Sequence, residues 1–168
     1  MNDNLKLYID INEVNKKQVW GNLDNNIGDF LPGDYKDFID KYGIGCINGY
    51  MWIVSPFCEN PNLNSINISD GFSDTLSYIN EETGSNYNIF DGISGLFPIA
   101  ITDNGDTICW NQELDSKGFI IVFESRCVET YTYNMSFELF LIGILKGDIF
   151  DEYLPDDFIS GTNIYESY

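Results

Sequence analysis

The 168-residue chain predicts an α+β domain with a mainly antiparallel sheet and helices packed against it. Two observations carry this expectation. Apolar residues recur at helical spacing in four segments, with short β-branched or aromatic runs between them, so the order reads helix, helix, strands, helix, strands, helix. The strand runs are joined by turn signals such as Asn48-Gly49 and Asn104-Gly105, not by crossover helices, so neighbouring strands should be antiparallel. The composition is that of a folding chain, 43% hydrophobic and 15% aromatic, long enough for one core without staples.

Taken in order, residues 12–23 read as a helix with Asn12 as N-cap and Val19, Trp20 and Leu23 on its inner face. Residues 31–42 form a stronger pattern. Pro32 suits the first turn, and Leu31, Tyr35, Phe38, Ile39 and Tyr42 make one apolar stripe, which assigns Tyr35 and Phe38 to the core. Gly43 and Gly45 are expected to supply backbone freedom at the helix end. Residues 46–47 and 51–54 read as strands, and 60–68 as a loop rich in Asn and Pro. Ser69 or Asp70 then caps a third helix reaching about Thr83, with Phe72, Leu76 and Ile79 inward and Gly84 as its stop.

Residues 96–101 suit a buried strand, Asp103-Asn104-Gly105-Asp106 a hairpin turn, and residues 107–110 the return strand. Residues 119–123 and 128–133 read as a further strand pair. Ser136 caps a last helix with Phe137, Phe140, Leu141, Ile144 and Leu145 inward and Gly147 as its stop. Trp20, Trp52 and Trp110 lie in apolar patterns and are assigned to the core. No repeat or linker divides the chain. Residues 1–147 are read as one domain, followed by an acidic and aromatic tail, residues 148–168, docked or flexible.

Charge and residue usage narrow the function. Lys plus Arg number 8 and Asp plus Glu 27, a formal charge of −19. Such a surface repels phosphate backbones and anionic lipid, so direct nucleic-acid or membrane binding is excluded and a basic protein is the natural partner. There is no histidine, which removes Ser-His and Cys-His nucleophile pairs and the usual neutral-pH base. Cys46, Cys58, Cys109 and Cys127 form no C-x-x-C pair, so no zinc site is expected. The turn at residues 103–106 does not match a calcium loop. No catalytic residue, metal or cofactor is assigned. The first ten residues carry no basic and apolar export pattern, and no apolar run reaches membrane-spanning length, so the cytoplasm is the expected compartment.

The ordered pieces resemble the SUKH superfamily (Smi/Knr-like proteins). Leu31-Pro32-x-x-Tyr35-x-x-Phe38 followed by Tyr42-Gly43-x-Gly45 is similar to its signature helix and glycine turn. Cys46-Ile47 through Met51-Trp52-Ile53 to Pro56-Phe57 resembles the strand pair that follows. Leu96-Phe97-Pro98-Ile99 with the 103–106 turn and Trp110 resembles its central hairpin, and residues 119–123 with Phe137-x-x-Phe140-Leu141 its closing elements. The resemblance spans residues 12–147. Two departures stand out: the family turn often reads Asn-Gly-Gly where this chain has Tyr42-Gly43-Ile44-Gly45, and residues 148–168 are extra.

The resemblance implies a bacterial immunity protein that binds and neutralises a toxin delivered between competing cells, with a basic nuclease as the expected target and stoichiometric occlusion as the mechanism. The alternative it implies is an intracellular regulatory or scaffold module of the Smi/Knr type. The candidate partner-binding residues are acids expected to be exposed: Glu81 and Glu82 at the end of the third helix, Asp103 and Asp106 at the hairpin tip, and Glu113 and Asp115 in the following loop.

Overall fold

A computed structural model describes residues 3–112, 118–126, 128–151, 153–159 and 161–168. Four helices, α1 (Ile27–Phe30), α2 (Gly33–Tyr42), α3 (Ser65–Thr83) and α4 (Phe137–Lys146), surround one sheet. Its seven strands are β1 (Gly45–Ile47), β2 (Met51–Ile53), β3 (Gly95–Thr102), β4 (Thr107–Gln112), β5 (Phe119–Phe123), β6 (Thr130–Tyr133) and β7 (Tyr165–Ser167). They run in the order β6-β5-β4-β3-β2-β1-β7, and every pairing between named strands is antiparallel. The α+β expectation holds.

The sheet is covered on both faces, which is why β5 is buried at Ile120, Ile121, Val122 and Phe123 alike instead of alternating with water. On one side Ile120, Val122, Ile108 and Ile99 join α2, α4 and the chain termini in the main core. On the other, Ile121, Phe123, Cys109 and Leu96 meet Phe72, Leu76 and Ile79 of α3. The stripe predicted for the last helix is buried throughout, at Phe137, Phe140, Leu141, Ile144 and Leu145, and Ser136 Oγ accepts from Leu139 N as its cap.

The helix expected over residues 12–23 is absent. Only Trp20–Asn22 makes a 3₁₀ turn, and Asn15 takes a left-handed φ of 50°. Tertiary hydrogen bonds win over a segment already weakened by Asn15, Gly21 and Asn22. Val14 N and Asn15 N donate to Lys41 O at 2.8 and 3.0 Å, and Gln18 N and Trp20 Nε1 both donate to Asp40 Oδ1 at 3.0 Å. The segment is thereby strapped along α2.

The loop expected over residues 60–68 is shorter than predicted. A 3₁₀ turn (Pro61–Leu63) leads to Asn64, whose Oδ1 accepts from Ile66 N and Asn67 N. Its Nδ2 donates to Pro56 O and Cys58 O. Asn64 is therefore the cap of α3, which starts ahead of the predicted Ser69 or Asp70 cap, and Ser69 is buried inside the helix.

Gly43 ends α2 with φ 76°. Gly45 serves a different purpose from the one expected, because a Cβ there would stand 2.3 Å from Glu166 O on β7. The glycine is needed for the close approach of the last strand. Beyond α4 the chain returns to the main core through Tyr153, Leu154, Phe158 and Tyr165. Asn48 and Asn163 tie the return down: Asn48 Nδ2 donates to Phe158 O and Asn163 Oδ1, and Asn163 Nδ2 to Tyr8 O and Leu145 O. The tail's aromatic residues therefore face largely inward, with Phe150 and Tyr168 the exposed exceptions.

Candidate partner-binding surface

The surface begins with α3. With Phe72, Leu76 and Ile79 turned into the core, helical periodicity turns Asp70, Asp74, Tyr78 and Glu81 to the opposite side. All four are exposed, as is the flanking Glu82. Asp70 to Glu81 spans about 16 Å at 1.5 Å per residue. Tyr78 is 56% exposed, an aromatic residue set among carboxylates. The helix contains no lysine or arginine.

This helix lies in a wider acidic region. Between Lys41 and Lys117 the chain has ten acids and no basic residue. The described ion pairs lie outside it: Glu13 with Lys6 and Lys41, Glu124 with Arg126, and Lys146 with Asp148.

The predicted acids fare differently. Glu81 and Glu82 are exposed in the last turn of α3. Asp103 is exposed at the β3–β4 turn, where its Oδ1 accepts from Trp52 Nε1 at 2.8 Å. Asp106 is a correction: it is fully buried. Its Oδ2 accepts from Thr102 Oγ1 at 2.5 Å and its Oδ1 from Ser125 N at 2.9 Å. The three-residue loop 103–105 places Asp106 at the base of the hairpin, where it ties the turn to the end of β5 and is not available to a partner. Glu113 and Asp115 lie outside the described residues.

A groove of about 370 Å³ separates the N-terminal half of α3 from the hairpin, lined by Ile68, Phe72, Thr75, Ile101, Gly105 and Thr107 among others. It runs from Gly71 and Thr75, next to Asp70 and Asp74 in sequence, to Gly105 of the turn that carries Asp103, while Glu81 and Glu82 stand at the far end of the helix. The sequence reading missed Asp70 as a surface acid and Asp74 and Tyr78 altogether. Their i, i+4 spacing opposite the apolar stripe was the available signal.

Trp110 is buried, whereas Trp20 and Trp52 are only half-buried, each with its indole N–H on a carboxylate. Cys46, Cys58 and Cys109 are free and buried, and burial pushes the Cys46 thiol up to about 12. Cys127 lies outside the described residues. Among the described residues no His, Cys, Asp and Glu group has the arrangement of a metal site, and no helix is long and apolar enough to cross a membrane.

A SUKH family model, described as SMI1-KNR4 cell-wall, matches residues 18–141. The chain belongs to the SUKH family. The match runs from the strapped segment before α2 through the first half of α4, so it takes in α3 and its acidic face. SUKH domains are generally non-enzymatic immunity or binding modules, and family membership implies a protein partner. No curated protein and no solved structure matches the chain.

Proposed function

We propose that this SUKH protein is a cytoplasmic immunity protein that neutralises a basic toxin, with a nuclease as the leading candidate, by covering its substrate cleft. The observation that carries this reading is the acidic face of α3, Asp70, Asp74, Glu81 and Glu82 around Tyr78, extended toward Asp103 in a stretch with no basic residue. A nuclease cleft is built to receive phosphates, and a row of carboxylates presents the same sign of field. Steering of this kind raises association to about 10⁸–10⁹ M⁻¹s⁻¹ at low salt. Exposed ion pairs contribute only about 0–1 kcal/mol each, so Tyr78 and the apolar groove beside α3 would supply the packed anchors.

The test is inhibition of a purified basic nuclease toxin with 1:1 stoichiometry, with association rates measured across salt. Replacing Asp70, Asp74, Glu81, Glu82 and Asp103 together by lysine should slow association at low salt by tenfold or more and flatten its salt dependence. An unchanged rate would move the binding face elsewhere. Micromolar binding to native signalling proteins, with no inhibition of any toxin, would favour the regulatory module instead.

A further inference from the structure

A second cleft lies away from the outward face of α3. It encloses about 740 Å³ between the inner flank of α3, residues 85–95 and the sheet, within the size range of small-molecule sites. Its floor is built by register. Leu96 on β3, Asn111 on β4 and Phe119 on β5 are direct cross-strand partners, so the three side chains share one face of the sheet. An amide thus sits between two apolar neighbours. Asn111 is only 7% exposed, lines the cleft, and its Oδ1 meets no hydrogen-bond partner among the described residues. A buried unpaired carbonyl oxygen costs about 1–3 kcal/mol. A strand position between Leu96 and Phe119 has no fold-level need for it.

The walls are hydroxyls and amides. Ser73 and Ser77 come from α3, and Ser85, Asn86, Asn88 and Ser94 from the opposite side. That opposite wall is braced. Asn80 Nδ2 donates to Tyr87 O at 2.7 Å and Asn80 Oδ1 accepts from Tyr87 N at 2.9 Å, and the Tyr87 ring packs edge-on against Phe123. Tyr87 and Phe119 are half-buried, leaving apolar ring surface beside the polar groups. In a chain of charge −19, Asp91 is the one ionisable acid or base among the described lining residues other than the Tyr87 phenol. Its carboxylate is already engaged by Ser94 N–H and Ile93 N–H. The described lining residues include no cation to receive a phosphate or carboxylate.

We infer that this cleft binds a neutral saccharide, with Asn111 Oδ1 accepting from a sugar hydroxyl, Ser77 and Asn88 adding hydrogen bonds, and Phe119 or Tyr87 packing on an apolar sugar face. A polyol supplies the many donors such a wall requires and the one donor that Asn111 lacks. The site is independent of the toxin-binding reading.

The experiment is an amide-resolved NMR titration of the whole protein with glucose, N-acetylglucosamine, maltose, cellobiose and chitobiose at millimolar concentration. Inorganic phosphate and an N-acetylated, C-amidated trialanine serve as the anionic and peptide probes. At least one saccharide should shift the amides of Ser77, Asn88 and Asn111. Asn111→Leu should raise the melting temperature and weaken that binding at least tenfold. Ser77→Trp, at an exposed helix position, should fill the cleft, abolish binding and leave the fold intact. Glu81→Lys with Glu82→Lys should bind the saccharide normally. The inference is overturned if no saccharide moves these amides, if only the phosphate or the peptide does, or if Asn111→Leu and Ser77→Trp both bind as the wild type.

Discussion

Asp34 shows how much one carboxylate can organise. Read from the sequence it is one of several polar residues on the outer face of a helix. In the fold its Oδ1 accepts from Tyr35 N at the start of α2, and its Oδ2 accepts from Glu138 N at the start of α4. Both helix N-termini carry partial positive charge, so a single anion serves two dipoles. Asp34→Ala should cost about 1 kcal/mol, the usual loss for a helix cap, visible as a lower urea midpoint with an unchanged m value. Glu13 makes a second residue-level case. Hydrogen bonds from Lys6 and then from Asn15 hold its carboxyl down at about 2, against an ordinary value of 4.5. Its folded pKa is the lower one, so ionisation favours the folded state. That contribution is complete above 4.5 and is lost as pH falls toward 2. Lys6→Gln should return the Glu13 midpoint toward 4.5, read by NMR titration of the side-chain carboxyl.

Elements succeeded or failed according to where their hydrogen bonds go. The segments 31–42 and 136–147 were legible because an apolar stripe, an N-terminal signal and a glycine stop agree with one another. The segment 12–23 misled because its polar backbone groups are satisfied by Lys41 O and Asp40 of α2, partners no local pattern displays. The start of α3 was misplaced for a similar reason. Asn64 looked like one more loop asparagine, yet it caps a helix while binding two upstream carbonyls. Asn64→Ala should destabilise by about 1–2 kcal/mol and expose the first turn of α3 to faster hydrogen exchange. Gly45→Ala would thrust a Cβ into Glu166 O and the Tyr165 ring. Overpacking of this kind costs about 1–3 kcal/mol. Loss of protection at Tyr165 and Glu166, with β3 and β4 still protected, would show that β7 alone had been displaced.

At the scale of the molecule the dominant quantity is the charge of −19. Repulsion among so many carboxylates opposes compaction. Raising ionic strength from about 0.01 to 0.15 M shortens the Debye length from about 30 to about 8 Å. The melting temperature should therefore rise across that range by a few degrees in calorimetry, while association with a basic partner slows. Lysine at Asp70, Asp74 and Glu81 should shrink both salt effects together. The charge is unevenly placed: five of the eight basic residues precede Gly43, and none lies between Lys41 and Lys117. That asymmetry makes α3 a face and not merely one helix among four.

Composition, periodicity and turn signals were enough for the antiparallel α+β class, the core stripes of α2 and α4 and the acidic character of the surface, and the family was legible in the resemblance of the ordered motifs. Each depends on residues near one another in the chain, or on sums over it. Long-range contact settled the rest. It sent the last strand to the edge beside β1 and placed one face of α3 in water, and it buried Asp106 beneath its own hairpin while leaving Asp103 outside. It also set Asn111 between Leu96 and Phe119 on the floor of a cleft, its Oδ1 without a partner among the described residues. Which carboxylate meets water and which amide lacks a partner depends on register and on packing between segments far apart in sequence, and a local pattern carries no record of either.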